Sequence, residues 1–290
     1  MYSGVRQGGV LSGIFFNMYI NPIITSLKNS DLGCHLKGSY VGCIMYADDI
    51  ILLSASVIDL QNMLGICHSV GRNLGVNFNP DKSKCINIGP NFHIVPYPVS
   101  IGNIQLHWVQ SVKYLGVYLS CAKTFQVDFA ETRRKFFSSV NSILSKCNFT
   151  SDIVKLQLME SHCLPILLYA VESLNLSKSR ILELNSWWNS VYRKIFNYHK
   201  WESVKELIFM LGQLDLHHII NLKSLKFVIN MSKLSYNSGS DVNVLLRSYK
   251  MSGEYAALFR KYGCKDNWSF TKIKAMIYLS FSSFKTNMTI

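Results

Sequence analysis

Apolar positions recur in two different periods along the chain, and the change of period divides it. Gly42-Cys43-Ile44-Met45 and Ile50-Ile51-Leu52-Leu53 are two apolar arms around Tyr46-Ala47-Asp48-Asp49, the pattern of a β-hairpin tipped by two adjacent carboxylates. Upstream, Gly4-Val5-Arg6-Gln7-Gly8-Gly9-Val10-Leu11-Ser12 is a glycine-rich turn that opens an apolar segment through Phe15-Phe16-Asn17-Met18-Tyr19-Ile20. Downstream, Leu60, Met63, Leu64, Cys67, Val70 and Leu74 recur at steps of three and four, which predicts an amphipathic helix that Gly75 can end. Lys84 to Ile88, Ile104 to Trp108 and Val112 to Leu119 return to alternation. From about Thr124 the period becomes helical and stays so, with Phe129, Phe136, Val140, Ile143 and Leu144 on one face and Arg133, Arg134 and Lys135 largely elsewhere.

The expected architecture is therefore α+β: an antiparallel sheet packed on helices, then a mostly helical region. Three segments follow, 1–120, 121–235 and 236–290, with Ser235-Tyr236-Asn237-Ser238-Gly239-Ser240 as a short link before the last. At 290 residues and 49% hydrophobic, the chain can bury a sizeable core. Val10 to Leu27 is apolar enough to suggest a membrane anchor, but Asn17, Asn21 and Pro22 interrupt it and no basic stretch precedes it. A buried helix explains it better.

Charge adds a partner. Thirty Lys and Arg against 17 Asp and Glu give +13, with 12 basic and 7 acidic residues in 1–150 and 18 and 10 in 151–290. An excess spread in this way suits a surface that tracks a polyanion rather than a basic tail. The eight cysteines show no CxxC spacing, so neither a zinc site nor a disulfide scaffold is indicated, and buried reduced thiols in an intracellular compartment, nucleus or cytoplasm, are expected. Ser186-Trp187-Trp188-Asn189 and the run Phe196 to Trp201, near Arg193, Lys194 and Lys200, are aromatic enough to stack on bases; core packing is the expected role for most of them.

The carboxylate pair carries the chemistry. Two like charges ~4 Å apart repel by about 4 kcal/mol at an effective dielectric of 20, so keeping both ionised calls for a divalent cation or buried bases. Hard oxygen ligands favour Mg²⁺ or Mn²⁺. A solvated turn is the plain alternative, since Asp favours turns.

Four stretches in order, Gly4 to Ser12, Tyr46 to Asp49, Leu74-Gly75-Val76-Asn77-Phe78-Asn79-Pro80-Asp81-Lys82-Ser83 and Tyr114-Leu115-Gly116-Val117, resemble motifs of the reverse transcriptases of non-LTR (LINE-type) retrotransposons. The likeness is strong to about residue 120 and looser to about 230, through Leu164 to Ala170 and Tyr192 to Phe196. It implies a polymerase palm followed by a thumb-like helical region, with RNA template, DNA primer and deoxynucleoside triphosphate as partners and no membrane. It further implies Asp48 and Asp49 as catalytic metal ligands; Arg6, Gln7, Gly8, Gly9, Tyr46 and Lys82 as template- and nucleotide-positioning residues; Tyr114, Leu115 and Gly116 as a primer grip; and Arg133, Arg134 and Lys135 as phosphate contacts. Departures from the pattern are Gly13, where the family usually has Pro, and the family's first catalytic aspartate and fingers, which lie N-terminal to the Gly4 segment. The expectation is thus a polymerase fragment with an incomplete two-metal site, inactive alone. The alternatives are a non-catalytic nucleic-acid-binding remnant and a pseudogene product.

Overall fold

The computed structural model describes residues 8–234, 253–264 and 268–283. The chain divides into two compact units, 1–128 and 129–290.

The first unit is two helices with small sheets. Helix α1 (Ser12–Asn29) is followed by the hairpin β1 (His35–Leu36) and β2 (Ser39–Tyr40), then by β3 (Cys43–Tyr46) and β4 (Asp49–Leu52), then by α2 (Val57–Asn73). Ser56 caps α2, its side chain accepting the Asp59 N–H. Gly75, at φ +69°, ends it: the Gly75 N–H reaches the Arg72 carbonyl and the Val76 N–H the Gly71 carbonyl, a full Schellman closure.

The expected antiparallel sheet is instead broken into short pieces. Strand β5 (Lys84–Cys85) pairs in parallel with β8 (His107–Trp108), β6 (Ser100–Ile101) pairs with β7 (Ile104–Gln105), and β9 (Ser111–Tyr114), β10 (Val117–Ser120) and β11 (Gln126–Asp128) form a three-stranded meander. Gly89, Gly102 and three prolines between 90 and 98 interrupt the alternation before it can build a long ladder. Helical structure begins at Ala130, not Thr124, because residues 126–128 pair with β10.

Ile20, Ile23 and Leu27 of α1 pack with Met63 and Cys67 of α2, and Cys43 and Met45 of β3 close the cluster. The expected burial of α1 holds only for this C-terminal half. Leu11, Ile14, Phe15, Met18 and Tyr19 are exposed, because the partners of α1 among the described residues, α2 and β3, cover one side of its last turns. Among the described residues no helix is long and apolar enough to cross a membrane.

The second unit is helical: α3 (Ala130–Lys146), α4 (Asp152–His162), α5 (Leu164–Leu167), α6 (Lys178–Ile195), α7 (Lys205–Met210), α8 (Leu216–Leu234), α9 (Gly253–Tyr262) and α10 (Phe270–Ser283). Serines at 151 and 177 cap α4 and α6, and Asp215 caps α8. Phe136 of α3 meets Trp188 of α6 with ring centroids 6.4 Å apart, and both are buried, as are Val140, Leu184 and Tyr192. Trp187 and Trp188 thus take the core role expected of them. The link at 235–240 lies outside the described residues.

All eight cysteines are free thiols. Cys67, Cys85 and Cys163 are buried and the other five are half-buried, fewer than the buried majority expected, because the thin sheets leave Cys34, Cys43 and Cys121 near the surface.

Candidate active site

Alternation along β3 decides what the hairpin offers. Cys43 and Met45 turn toward the core and Ile44 and Tyr46 toward solvent, while Met45 pairs with Ile50 and Tyr46 with Asp49. This register leaves Ala47 and Asp48 as a two-residue turn. Ala47 has φ +52° and Asp48 no positive φ, the signs of a type II′ turn, which ordinarily has Gly first. A non-glycine residue held left-handed costs roughly 1–2 kcal/mol, so the apolar pairing of the arms sustains a strained tip. Asp48 and Asp49 are both exposed there.

A second hairpin comes into range. Tyr114 pairs with Val117 across Leu115 (φ +43°) and Gly116 (φ +83°), two left-handed residues in succession, the type I′ pattern. Gly116 is therefore a turn residue and not a kink within a strand. Burial raises the Tyr114 phenol pKa, and the Asp49 carboxylate raises it further. The structure thus brings Asp49 and Tyr114, 65 positions apart in sequence, into electrostatic contact, and no local sequence signal announces it.

The remaining positions are more dispersed. Gly8 (φ +80°) and Gly9 are exposed just before α1, and the Gly9 carbonyl accepts the Ser12 N–H. Arg6 and Gln7 lie outside the described residues. Lys82 is exposed on a turn built by Asn79, whose Oδ1 accepts the N–H groups of Asp81 and Lys82 at 3.0 and 3.3 Å. Asp31, the other acidic residue before the pair, sits at φ +57° beside His35, Nε2 to Oδ1 3.5 Å.

In the second unit the three cations at the start of α3 are engaged. Arg134 donates to Glu131 from Nε and Nη2 at 2.8 and 2.6 Å, Lys135 Nζ lies 3.7 Å from the same carboxylate, and Arg133 lies over the Trp187 ring, 5.7 Å from its centroid. Those hydrogen bonds and charges hold the Glu131 carboxyl below its usual range. Arg134, Lys135, Ser138, Ser139, Ser142, Ile143 and His162 line an open depression of about 450 Å³.

Among the described residues no group of three or more His, Cys, Asp or Glu is placed to hold a metal ion. The pair itself suits Mg²⁺, which commonly keeps several waters and uses one or two carboxylates together with substrate phosphates.

Known proteins resemble the sequence of the first unit. Residues 1–119 match the family described as "Reverse transcriptase (RNA-dependent DNA polymerase)". This stretch of the chain is similar to reverse transcriptases. Among its relatives is the Pol polyprotein of a type-1 retrotransposable element R2 of Popillia japonica, 25% identical over 67% of this chain and 32% of its own length. Another is a 149 kDa protein of transposon TX1 of Xenopus laevis, 31% identical over 40% of the chain and 9% of its own length. A third, the R2 Pol polyprotein of Nasonia vitripennis, is 27% identical over 43% and 13%. The chain spans at most about a third of the length of these relatives, and they bear out the non-LTR reading of the motifs.

Proposed function

We propose that the first unit carries part of the centre of an RNA-directed DNA polymerase, with Asp48 and Asp49 as its metal-binding carboxylates. The observation that carries this reading is the exposed pair at a strained hairpin tip inside the family-matched stretch, with its field reaching Tyr114. In the reaction, a primer 3′-hydroxyl attacks the α-phosphate of a deoxynucleoside triphosphate and pyrophosphate leaves. Asp48, and less directly Asp49, would hold a divalent cation, which would supply Lewis acidity to this reaction. The type I′ turn at Leu115 and Gly116 is the proposed primer grip, while Gly8, Gly9, Tyr46 and Lys82 position template and nucleotide.

A second reading has its own support. With no third ligand near the pair among the described residues, and with basic side chains around the α3 depression, the chain can serve as a non-catalytic binder of nucleic acid. Primer extension on an RNA template with Mg²⁺ separates the two. Under the polymerase reading, the chain supplied with the upstream segment of a family polymerase extends the primer, and Asp48→Asn lowers that incorporation by at least about 100-fold while template–primer binding stays within about twofold of wild type. A folded chain that binds template–primer yet extends it neither alone nor when supplied with the upstream segment of a family polymerase supports the binding reading and ends the catalytic one.

A further inference from the structure

The aromatic residues of the run Phe196 to Trp201 do not form the core that the sequence suggests: Phe196 is half-buried, Tyr198 is exposed, and the last is turned out furthest. Trp201 is 82% exposed, yet it is held in place. Helix α6 ends in a Schellman-type closure, with Asn197 at φ +56° and the Tyr198 N–H on the Arg193 carbonyl at 3.0 Å. The next four residues form a turn closed twice. The Glu202 N–H donates to the His199 carbonyl at 3.1 Å, and the Glu202 carboxylate accepts the His199 N–H. Arg193 Nε then donates to the Glu202 carbonyl at 2.9 Å, tying the turn to the helix. Buried Ile195 before it and buried Val204 after it anchor both ends.

On this frame the Trp201 indole lies parallel to the His199 ring, at 2° between planes and 5.2 Å between centroids. One ring neighbours one face of the indole, and the high exposure leaves the rest of it to solvent. Its surroundings are cationic: residues 193–205 hold Arg193, Lys194, Lys200 and Lys205 against the single carboxylate of Glu202. Lys194 is turned toward α3, its Nζ bonded to Asn141 Oδ1 at 3.1 Å and 5.8 Å from the Phe137 ring centroid, and Lys200, exposed, precedes Trp201 in the turn.

We propose that Trp201, backed by His199, is a stacking platform for an unpaired base of single-stranded nucleic acid, with Lys200 contacting an adjacent phosphate. The chemistry of the site selects this occupant. A flat π-face accepts any base that is not already stacked, a duplex offers such faces only at its ends, and the flanking cations match a phosphate backbone rather than a neutral apolar partner. No residue of the Asp48 site is used, so the platform stands or falls independently of the polymerase reading.

The test is equilibrium binding of the full chain to fluorescein-labelled single-stranded RNA, single-stranded DNA and blunt duplex of equal length, at about 50 mM salt. Trp201→Ala is expected to weaken binding of one or both single strands roughly 5- to 100-fold, to leave duplex binding within about twofold, and to abolish most of the tryptophan quenching that the oligonucleotide causes. Trp201→Phe keeps most of the affinity, and Lys200→Glu weakens binding and flattens its salt dependence. An unchanged melting temperature for Trp201→Ala confirms that the fold is intact. Single-strand affinity unchanged in Trp201→Ala, or equal losses for single strand and duplex, overturns the proposal. So does a variant whose only change is the loss of association with a protein, including a second copy of this chain.

Discussion

At Ala47, a residue with a Cβ occupies the first position of a type II′ turn, where glycine is free of steric cost. Ala47→Gly is therefore expected to stabilise the first unit by about 1 kcal/mol, read as a shift of the urea unfolding midpoint. A lower midpoint would show that the alanine is not strained there. The carboxylates beside it were legible in the sequence, because two adjacent acids between apolar arms mark the polar tip of a hairpin. The left-handed backbone was not, since nothing in Tyr-Ala-Asp-Asp requires it. Trp201 is the converse case: composition marked it as aromatic near cations, and only its surroundings in the fold separated it from Trp187 and Trp188, which are core.

Helix α3 shows how an element can carry a basic face without offering it freely. Glu131 engages Arg134 and Lys135 from one turn away, so anion binding at the depression between α3 and α4 must compete with an existing carboxylate. Glu131→Gln should release both cations, strengthen duplex and single-strand binding by about two- to fivefold and steepen the salt dependence. Unchanged affinity in a titration of salt against binding would remove α3 from the nucleic-acid surface. The spacing of Phe136 and Val140 made this helix readable as an element, but the pairing of its charges depended on rotamers. Helix α2 was more fully legible, since Gly75 ends it through the left-handed conformation that its lack of a side chain permits. Helix α1 was legible as a helix and misread in burial: an apolar segment signals a need for cover, not where the cover lies.

Across the whole molecule, buried and half-buried thiols and the Tyr40 phenol set an alkaline limit. Burial raises Cys67 to about 12 and Cys43 and Cys85 to about 11, from 9.0, and Tyr40 to about 12 from 10.0. Well below pH 9 these groups are neutral in both folded and unfolded chains and their contribution to stability is complete. Above it the unfolded chain releases protons that the folded chain keeps, so stability falls from about pH 9 and is lost as pH rises through the folded values. The melting temperature is expected to drop steadily between pH 9 and 10.5, with a shallower slope in Cys67→Ala; a flat profile would mean that these groups reach solvent. The sequence by itself determined the order of the motifs, the hairpin with its two acids, the helical second half and the positive charge, because each is written in local periodicity, turn chemistry or composition. The tertiary structure alone decided that the sheet breaks into short pieces, that Asp49 acts on Tyr114, that Glu131 engages two of the α3 cations, and that one tryptophan stands exposed while two are buried. Those outcomes rest on contacts between residues distant in the chain and on which surfaces find a neighbour, and neither is encoded in any single stretch.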